Sequence, residues 1–260
     1  RHAFLDAAEQ SGCAAQGSGW RPRHLTLWRQ GGLVAALPAY ARDRSEGDFG
    51  RDWEWARAAR AAGLPYYPKL VVGVPVTPAT GRRLLVAPGE DRAACGRRLA
   101  QAALDLCAEE GMRSLHVLFP DEGEAAEWEA FGLAVRVGIQ YHWQNPGYGS
   151  IDDFLDRFPS KRRNAIRRER AAPAQQGVEI HTRRGQALAG APPGYAAELF
   201  ELHRRTIDDK DWGMRFVNQA FFERVVAGLP DAVEVVEARR QGRLIAAAVN
   251  LGGPDRLYGR

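Results

Sequence analysis

Two stretches far apart in this chain repeat one pattern, and that repetition limits the fold more than any other feature. Residues 25–40, LTLWRQGGLVAALPAY, alternate apolar and polar positions, turn at Gly31-Gly32 and continue as a strand of small residues. Residues 233–251, VEVVEARRQGRLIAAAVNL, do the same around Gln241-Gly242. Period-two alternation broken by a polar glycine turn is the signature of a β-hairpin. Two such hairpins in comparable surroundings imply two copies of one fold unit. A chain of 260 residues has room for two modest units.

The elements around each hairpin predict a mixed α/β architecture. In the front half, helices are expected over residues 1–10, 52–63 and 91–110, with an acidic helix over 121–133. Strands are expected at 83–87, 113–120 and 134–148, and the last leaves through Asn145-Pro146-Gly147. The turn-rich NPGYGS break then suggests a division into 1–149 and 150–260. The rear half restarts with a helix capped by Ser150, with Asp153 three residues on as in a capping box. A basic helix, a strand at 177–184, a helix from about Pro193, a helix over 217–229 and the second hairpin follow. The final DRLYGR reads as a strand cut short, so the chain reads as a fragment with an incomplete second unit.

Composition excludes several classes. Apolar residues make up 45% of the chain, well above disordered sequences. No apolar run approaches about 18 residues, so no membrane-spanning helix is expected. Cys13, Cys95 and Cys107 lack metal-ligand spacing and cannot all pair within the chain, which fits idle thiols in a reducing, cytoplasmic setting. No metal is expected. Phosphate-loop, dinucleotide, nucleophile-elbow and zinc-protease motifs are absent. The turn APGEDRAACG could hold a pyrophosphate at a helix N-terminus, but Glu90 and Asp91 oppose phosphate there.

Positive charge is concentrated in SKRRNAIRRER, residues 160–170. Six cations stand there against Glu169, while the whole chain carries only +4. That balance argues against a general nucleic-acid coat and for a focused anion site. With Ser160 as N-cap, Lys161, Arg162 and Arg163 fall in the first helical turn, where the helix dipole resists cations by about 0.3–1 kcal/mol each. Cations so placed suit a docked phosphate, with Arg167 and Arg168 one turn on. The competing reading is a solvated helix face. On the expected strand GIQYHWQN, Gln140, His142 and Gln144 share one face, as for a wet cleft, and His142 is the candidate general base. A hydrogen-bonded structural histidine is the plainer reading. In the proline-held stretch 66–88, Tyr66, Tyr67, Lys69, Thr77 and Thr80 offer donors to a substrate, unless the stretch is only an extended connection.

Five stretches, YYPKLVVGVPVTPATGRRLL, LHVLF, GIQYHWQN, SKRRNAIRRER and LYGR, together resemble the bacterial FemAB-like family of N-acyltransferases. That family is described as peptidoglycan biosynthesis or recognition proteins and belongs to the GNAT superfamily. The resemblance spans nearly the whole chain. It implies tandem GNAT-like units, the second truncated, and transfer of an acyl or aminoacyl group to an amine on a cell-wall precursor. The donor it implies is acyl-CoA or aminoacyl-tRNA. Tyr66, Tyr67, Lys69, Thr80, Gln140, Gln144 and Asn145 would then meet substrate, His142 would accept the proton, and Lys161, Arg162, Arg163, Arg167 and Arg168 would hold phosphate. A non-catalytic module recognising an anionic precursor, or a tRNA binder, are the other readings. Oligomeric state is left open.

Overall fold

The computed structural model describes residues 2–211, 213–253 and 255–259. Arg1 of the first expected helix and Arg260 of the LYGR stretch lie outside the described residues. In chain order the elements begin with α1 (His2–Gln10), β1 (Trp20–Pro22), β2 (Leu25–Arg29), β3 (Gly32–Leu37), β4 (Ala39–Arg42) and α2 (Trp53–Ala61). Next come β5 (Lys69–Val72), β6 (Leu85–Val86), α3 (Arg92–Glu109), β7 (Leu115–Val117) and α4 (Glu122–Ala130). Then follow α5 (Ile151–Asp156), α6 (Ser160–Gln175), β8 (Val178–Arg184), α7 (Gln186–Ala189), α8 (Tyr195–Asp208) and α9 (Gln219–Gly228). The hairpin β9 (Val233–Arg240) and β10 (Arg243–Gly252) leads into β11 (Leu257–Gly259). The mixed α/β class expected from the sequence is the one observed.

Contacts divide the chain into two compact units that are discontinuous in sequence, Arg1–Val135 with His203–Leu229, and Arg136–Leu202 with Pro230–Arg260. The division therefore differs from the consecutive segments 1–149 and 150–260. The first unit holds two sheets, ordered β1-β4-β5-β7 and β2-β3-β6. Among its described strands only β5 and β7 run parallel, joined through β6 and α3; the other pairs are antiparallel. Pro38 sits between β3 and β4, where it supplies no ladder donor, and the chain changes sheet there. The second unit has one antiparallel sheet, ordered β11-β10-β9-β8.

Both hairpins turn on Gln-Gly. Gln30 and Gly31 have φ of 49° and 79°, and Gln241 and Gly242 have 52° and 75°. These are primed two-residue turns, whose twist matches the flanking strands. The first turn thus sits one residue earlier than Gly31-Gly32, because Gly32 is already paired with Arg29.

The core of the first unit lies between the sheets and α3. Ala39, Ala41, Leu70 and Val72 meet Cys95, Leu99, Ala100, Ala103 and Cys107 there, with Leu115, Val117 and Phe131 packed against them. Each such leucine, fully buried, stabilises the fold by about 1.5–3 kcal/mol. Asp91 caps α3 by accepting from Ala94 N at 3.0 Å. Gly96 lets the α3 backbone approach Phe131 and Leu84, where a Cβ would lie 2.7 Å from Phe131 Cζ. In the second unit the expected capping box of Ser150 and Asp153 is formed. Glu237, fully buried on β9, accepts from Arg183 at 2.7 Å and Arg239 at 3.0 Å. Burial raises its carboxyl, but the two guanidiniums outweigh burial and hold it below the usual range.

One expected strand is not formed. Residues 133–145 have no strand assignment, and Val137, Ile139 and Tyr141 are 88%, 76% and 96% exposed. Their alternation gives strand propensity, but a strand also needs a neighbour for its backbone groups, and no described strand pairs with this segment.

Candidate functional site

The sheet β1-β4-β5-β7 has two chemically different faces, and strand geometry decides which residues go where. Successive side chains alternate, so Leu70 and Val72 enter the core while Lys69 and Val71 point the other way. The register places Trp20 beside Arg42 and Arg42 beside Lys69 in one row. Tyr40, Val71 and His116 form the next row. Ser114, one residue before Leu115, falls on the same side as His116. One face thus carries the apolar core and the other gathers Arg42, Lys69, Ser114 and His116.

Arg42 is fully buried with its guanidinium carbon 3.7 Å from the Trp20 ring centroid. Its terminal nitrogens donate to the carbonyls of Gly19 and Glu46. Burial lowers its pKa to about 10 despite the opposing charge of Asp48. A cavity of about 190 Å³ lies beside it, lined by Trp20, Arg21, Asp43 and Pro68 among others.

Lys69 is the centre of the site. Its ammonium is enclosed and donates to Ser45 Oγ at 2.9 Å, Asp48 Oδ2 at 2.8 Å and Asp52 Oδ2 at 2.6 Å. The Tyr66 hydroxyl donates to the same Asp52 oxygen at 2.6 Å, and Tyr67 hydrogen-bonds Ser45 at 2.7 Å. Lysine and aspartate are rarely buried unless paired, and here every member has a partner of opposite charge or a hydroxyl. For Asp52, burial raises the pKa, but hydrogen bonds from Lys69, Ser45 and Tyr66 bring it down to about 2. Burial and then the Asp52 carboxylate push the Tyr66 hydroxyl above its ordinary value.

The loop that brings these carboxylates inward is strained. Phe49 and Arg51 have φ of 60° and 51°, a region that costs a side chain about 1–3 kcal/mol and is held only where the surroundings demand it. Asp52 occupies the N-cap position of α2 yet makes no capping hydrogen bond, because its side chain turns to Lys69 instead. Asp52 Oδ1 is buried with no hydrogen-bond partner. His116 stands at the edge of the cluster, with Nδ1 4.0 Å from Asp52 Oδ2 and Nε2 2.8 Å from Ser114 Oγ.

The structure brings together Tyr66, Tyr67 and Lys69 from the sequence-derived candidates. Thr80 is half-buried in the loop before β6 and takes no part in the hydrogen bonds of Lys69. Gln140, His142, Gln144 and Asn145 lie exposed on the segment that is not a strand, so the expected shared face of Gln140, His142 and Gln144 is absent. His142 Nε2 is 3.0 Å from Gln140 Oε1, and Asn145 Oδ1 accepts from Gly147 and Tyr148 within its own turn.

Helix α6 forms as expected, but its cap is Pro159 rather than Ser160, and no side chain caps it. No residue of α6 is buried. Arg162, Arg163 and Arg167 pair with Glu169, Asp156 and Asp152 at 4.0, 3.5 and 3.0 Å. Lys161 and Arg168 are exposed on the same helix. At the N-terminus of α3, Asp91 caps and Glu90 pairs with Arg29 at 2.8 Å, so carboxylates occupy the turn a pyrophosphate would need.

Sequence reading missed Ser45, Asp48, Asp52, Ser114 and His116. Two signals were available: a lysine opening the buried strand KLVV and a histidine inside the apolar LHV, both aligned with Arg42 by alternation. Among the described residues no group of three or more metal-ligating side chains is assembled, and no helix is long and apolar enough to cross a membrane. All three cysteines are free and buried.

The family model for FemAB-like proteins, described as peptidoglycan biosynthesis/recognition, matches residues 1–260. The chain belongs to the FemAB-like family. A search of curated proteins gave no match. Among solved structures, the FemAB-like chain is similar to L-PGS from Bacillus licheniformis, with 12% identity and a TM-score of 0.47 over 98% of this chain and 62% of that one. It is also similar to FemX, with 11% identity and a TM-score of 0.41 over 96% of this chain and 51% of that one. The FemAB-like chain therefore spans between half and two thirds of the length of these two proteins.

Proposed function

We propose that this chain belongs to an N-acyltransferase that moves an aminoacyl or acyl group onto an amine, with a peptidoglycan precursor as the acceptor. Membership of a family described by peptidoglycan biosynthesis or recognition supports the substrate class. The observation that carries the reading is the polar sheet face. Its buried layer holds Lys69 against Asp48 and Asp52, with the buried Arg42 bonded to the carbonyls of Gly19 and Glu46, so two cations and two carboxylates are fixed and charge-balanced. Above it, Tyr66, Tyr67, Ser114 and His116 are half-buried and offer hydroxyl and imidazole groups to a ligand. Such preorganised groups suit a peptide acceptor, whose amides and amine need hydrogen bonds fixed before reaction.

The donor we favour is aminoacyl-tRNA. The carboxylates at the α3 N-terminus disfavour a CoA pyrophosphate in the first unit. The cations on α6, Lys161, Arg162, Arg167 and Arg168 exposed and Arg163 half-buried, are suited to a phosphate backbone. His142, exposed outside any strand, would serve as proton acceptor on a substrate that reaches residues 133–145. The matched Gln-Gly hairpins support two GNAT-like units related by duplication. Free buried thiols fit a reducing cytoplasm. The test is amide formation, followed by mass spectrometry, when the full-length protein meets aminoacyl-tRNA or acyl-CoA and a nucleotide-linked peptidoglycan precursor. Product with aminoacyl-tRNA is expected; a folded protein that forms no amide with either donor ends this reading.

A further inference from the structure

At the edge of the Lys69 cluster three groups stand in the order of an acyl-transfer relay. Ser114 and His116 are two residues apart at the start of β7, so both side chains leave one face of the sheet. Ser114 Oγ is hydrogen-bonded to His116 Nε2 at 2.8 Å. The other ring nitrogen, Nδ1, faces the carboxylate of Asp52, which comes from a loop far away in sequence, with Oδ2 at 4.0 Å. Oδ2 already accepts from Lys69 and Tyr66, each at 2.6 Å, while the buried Oδ1 has no hydrogen-bond partner. The Asp52 side chain is 2% exposed and that of His116 is 18% exposed, so the imidazole reaches the surface and its carboxylate stays behind it.

Hydroxyl on one ring nitrogen and carboxylate toward the other is the arrangement that lets an imidazole take a hydroxyl proton and stabilises the imidazolium that results. A gap of 4.0 Å is about 1 Å longer than a hydrogen bond, and such contacts commonly close when substrate binds. The strained Phe49–Arg51 backbone and the uncapped start of α2 turn Asp52 inward to Lys69, and His116 stands beside that pair.

We propose that Ser114 is an acyl-accepting nucleophile, that His116 is its general base, and that Asp52 is the positioning residue behind His116. Only the identity of the donor rests on the transferase reading. Ser114 Oγ attacks the carbonyl carbon of an acyl ester while His116 Nε2 takes the hydroxyl proton. The donor's C–O bond breaks, and that proton leaves with the departing oxygen. The acyl group is now an ester of Ser114. An amine then attacks it, the C–N bond forms as the C–Oγ bond breaks, and the amine proton returns through His116 to Ser114.

The experiment treats the full chain with a fluorophosphonate near neutral pH and maps the adduct by mass spectrometry. Label is expected on Ser114, absent in Ser114→Ala, and about 100-fold slower or more in His116→Gln. Circular dichroism and a thermal melt establish that each variant is folded, and Asp52→Asn, also expected to slow labelling, is the second variant. A folded wild-type protein unlabelled at Ser114 overturns the proposal, as does an unchanged rate in His116→Gln. Labelled Ser114 without amide formation from any donor removes the transferase reading and keeps the nucleophile. Amide formation at full rate by Ser114→Ala does the reverse.

Discussion

Replacing Lys69 by methionine isolates what holds the site together. The substitution keeps most of the side-chain volume and deletes three enclosed hydrogen bonds of 2.6–2.9 Å. It leaves Asp48 and Asp52, whose side chains are 0% and 2% exposed, without their cation. Breaking a buried pair from one side costs about 3–5 kcal/mol, because the remaining charge stays desolvated. For a unit of this size each kcal/mol lowers Tm by about 2–4 °C, so a fall of roughly 6–20 °C is expected. The pH dependence separates this cause from lost packing. In the wild type the Asp52 carboxyl is held at about 2, so its contribution is present above the unfolded value of about 3.9 and is lost as pH falls toward 2. In Lys69→Met the same carboxyl is buried without a cation, so its folded value rises and acid relieves the penalty. The stability gap between the proteins should therefore narrow from pH 7 to pH ~4. Urea melts at several pH values measure it. A gap that stays constant across that range would refute the electrostatic account and assign the loss to packing alone.

Three further outcomes follow from the geometry. Gly96→Ala places a methyl 2.7 Å from Phe131 Cζ and 3.0 Å from Leu84 Cδ2, so overpacking of about 1–3 kcal/mol should exceed the helix-propensity gain of about 1 kcal/mol, and calorimetry should show a lower Tm. Asp91→Ala removes the α3 cap and should cost about 1 kcal/mol by urea denaturation, whereas Asp91→Ser should retain most of the stability. The double reversal Arg163→Glu with Arg167→Glu should weaken tRNA binding and flatten its salt dependence by about two in log–log slope; an unchanged slope would place α6 outside the binding surface.

The fold was readable where local chemistry decides it. The Gln241-Gly242 turn, the capping box at Ser150 and the 3.6-residue pattern of α3 are short-range signals, and each is present in the structure. Residues 133–145 carried an equally clear alternation, yet strand formation depends on a partner that no local pattern announces. The candidate site divides in the same way. Lys69, Tyr66 and Tyr67 were visible because a lysine and adjacent tyrosines are conspicuous beside prolines. Asp48 and Asp52 were not, since an acidic, glycine-containing loop reads as solvated until its backbone is seen to turn inward through positive φ at Phe49 and Arg51. Ser114 and His116 look like ordinary strand residues until the parallel pairing of β5 with β7 sets them beside Lys69.

The two-faced sheet also separates two kinds of sequence change. Residues that hold the core, such as Leu70 and Leu115, and residues of the candidate site, such as Lys69 and His116, alternate along the same strands without sharing a face. Point substitutions can therefore retune the reactive side while the hydrophobic side is left intact, which gives such a sheet freedom to change specificity during evolution. Length changes have no such freedom. Deleting one residue within β5 would send the side chain of Lys69 toward α3 and that of Leu70 toward Asp48, inverting both functions at once. Diversity in descendants of this chain should consequently accumulate as exchanges inside these strands and as insertions only in the loops between them.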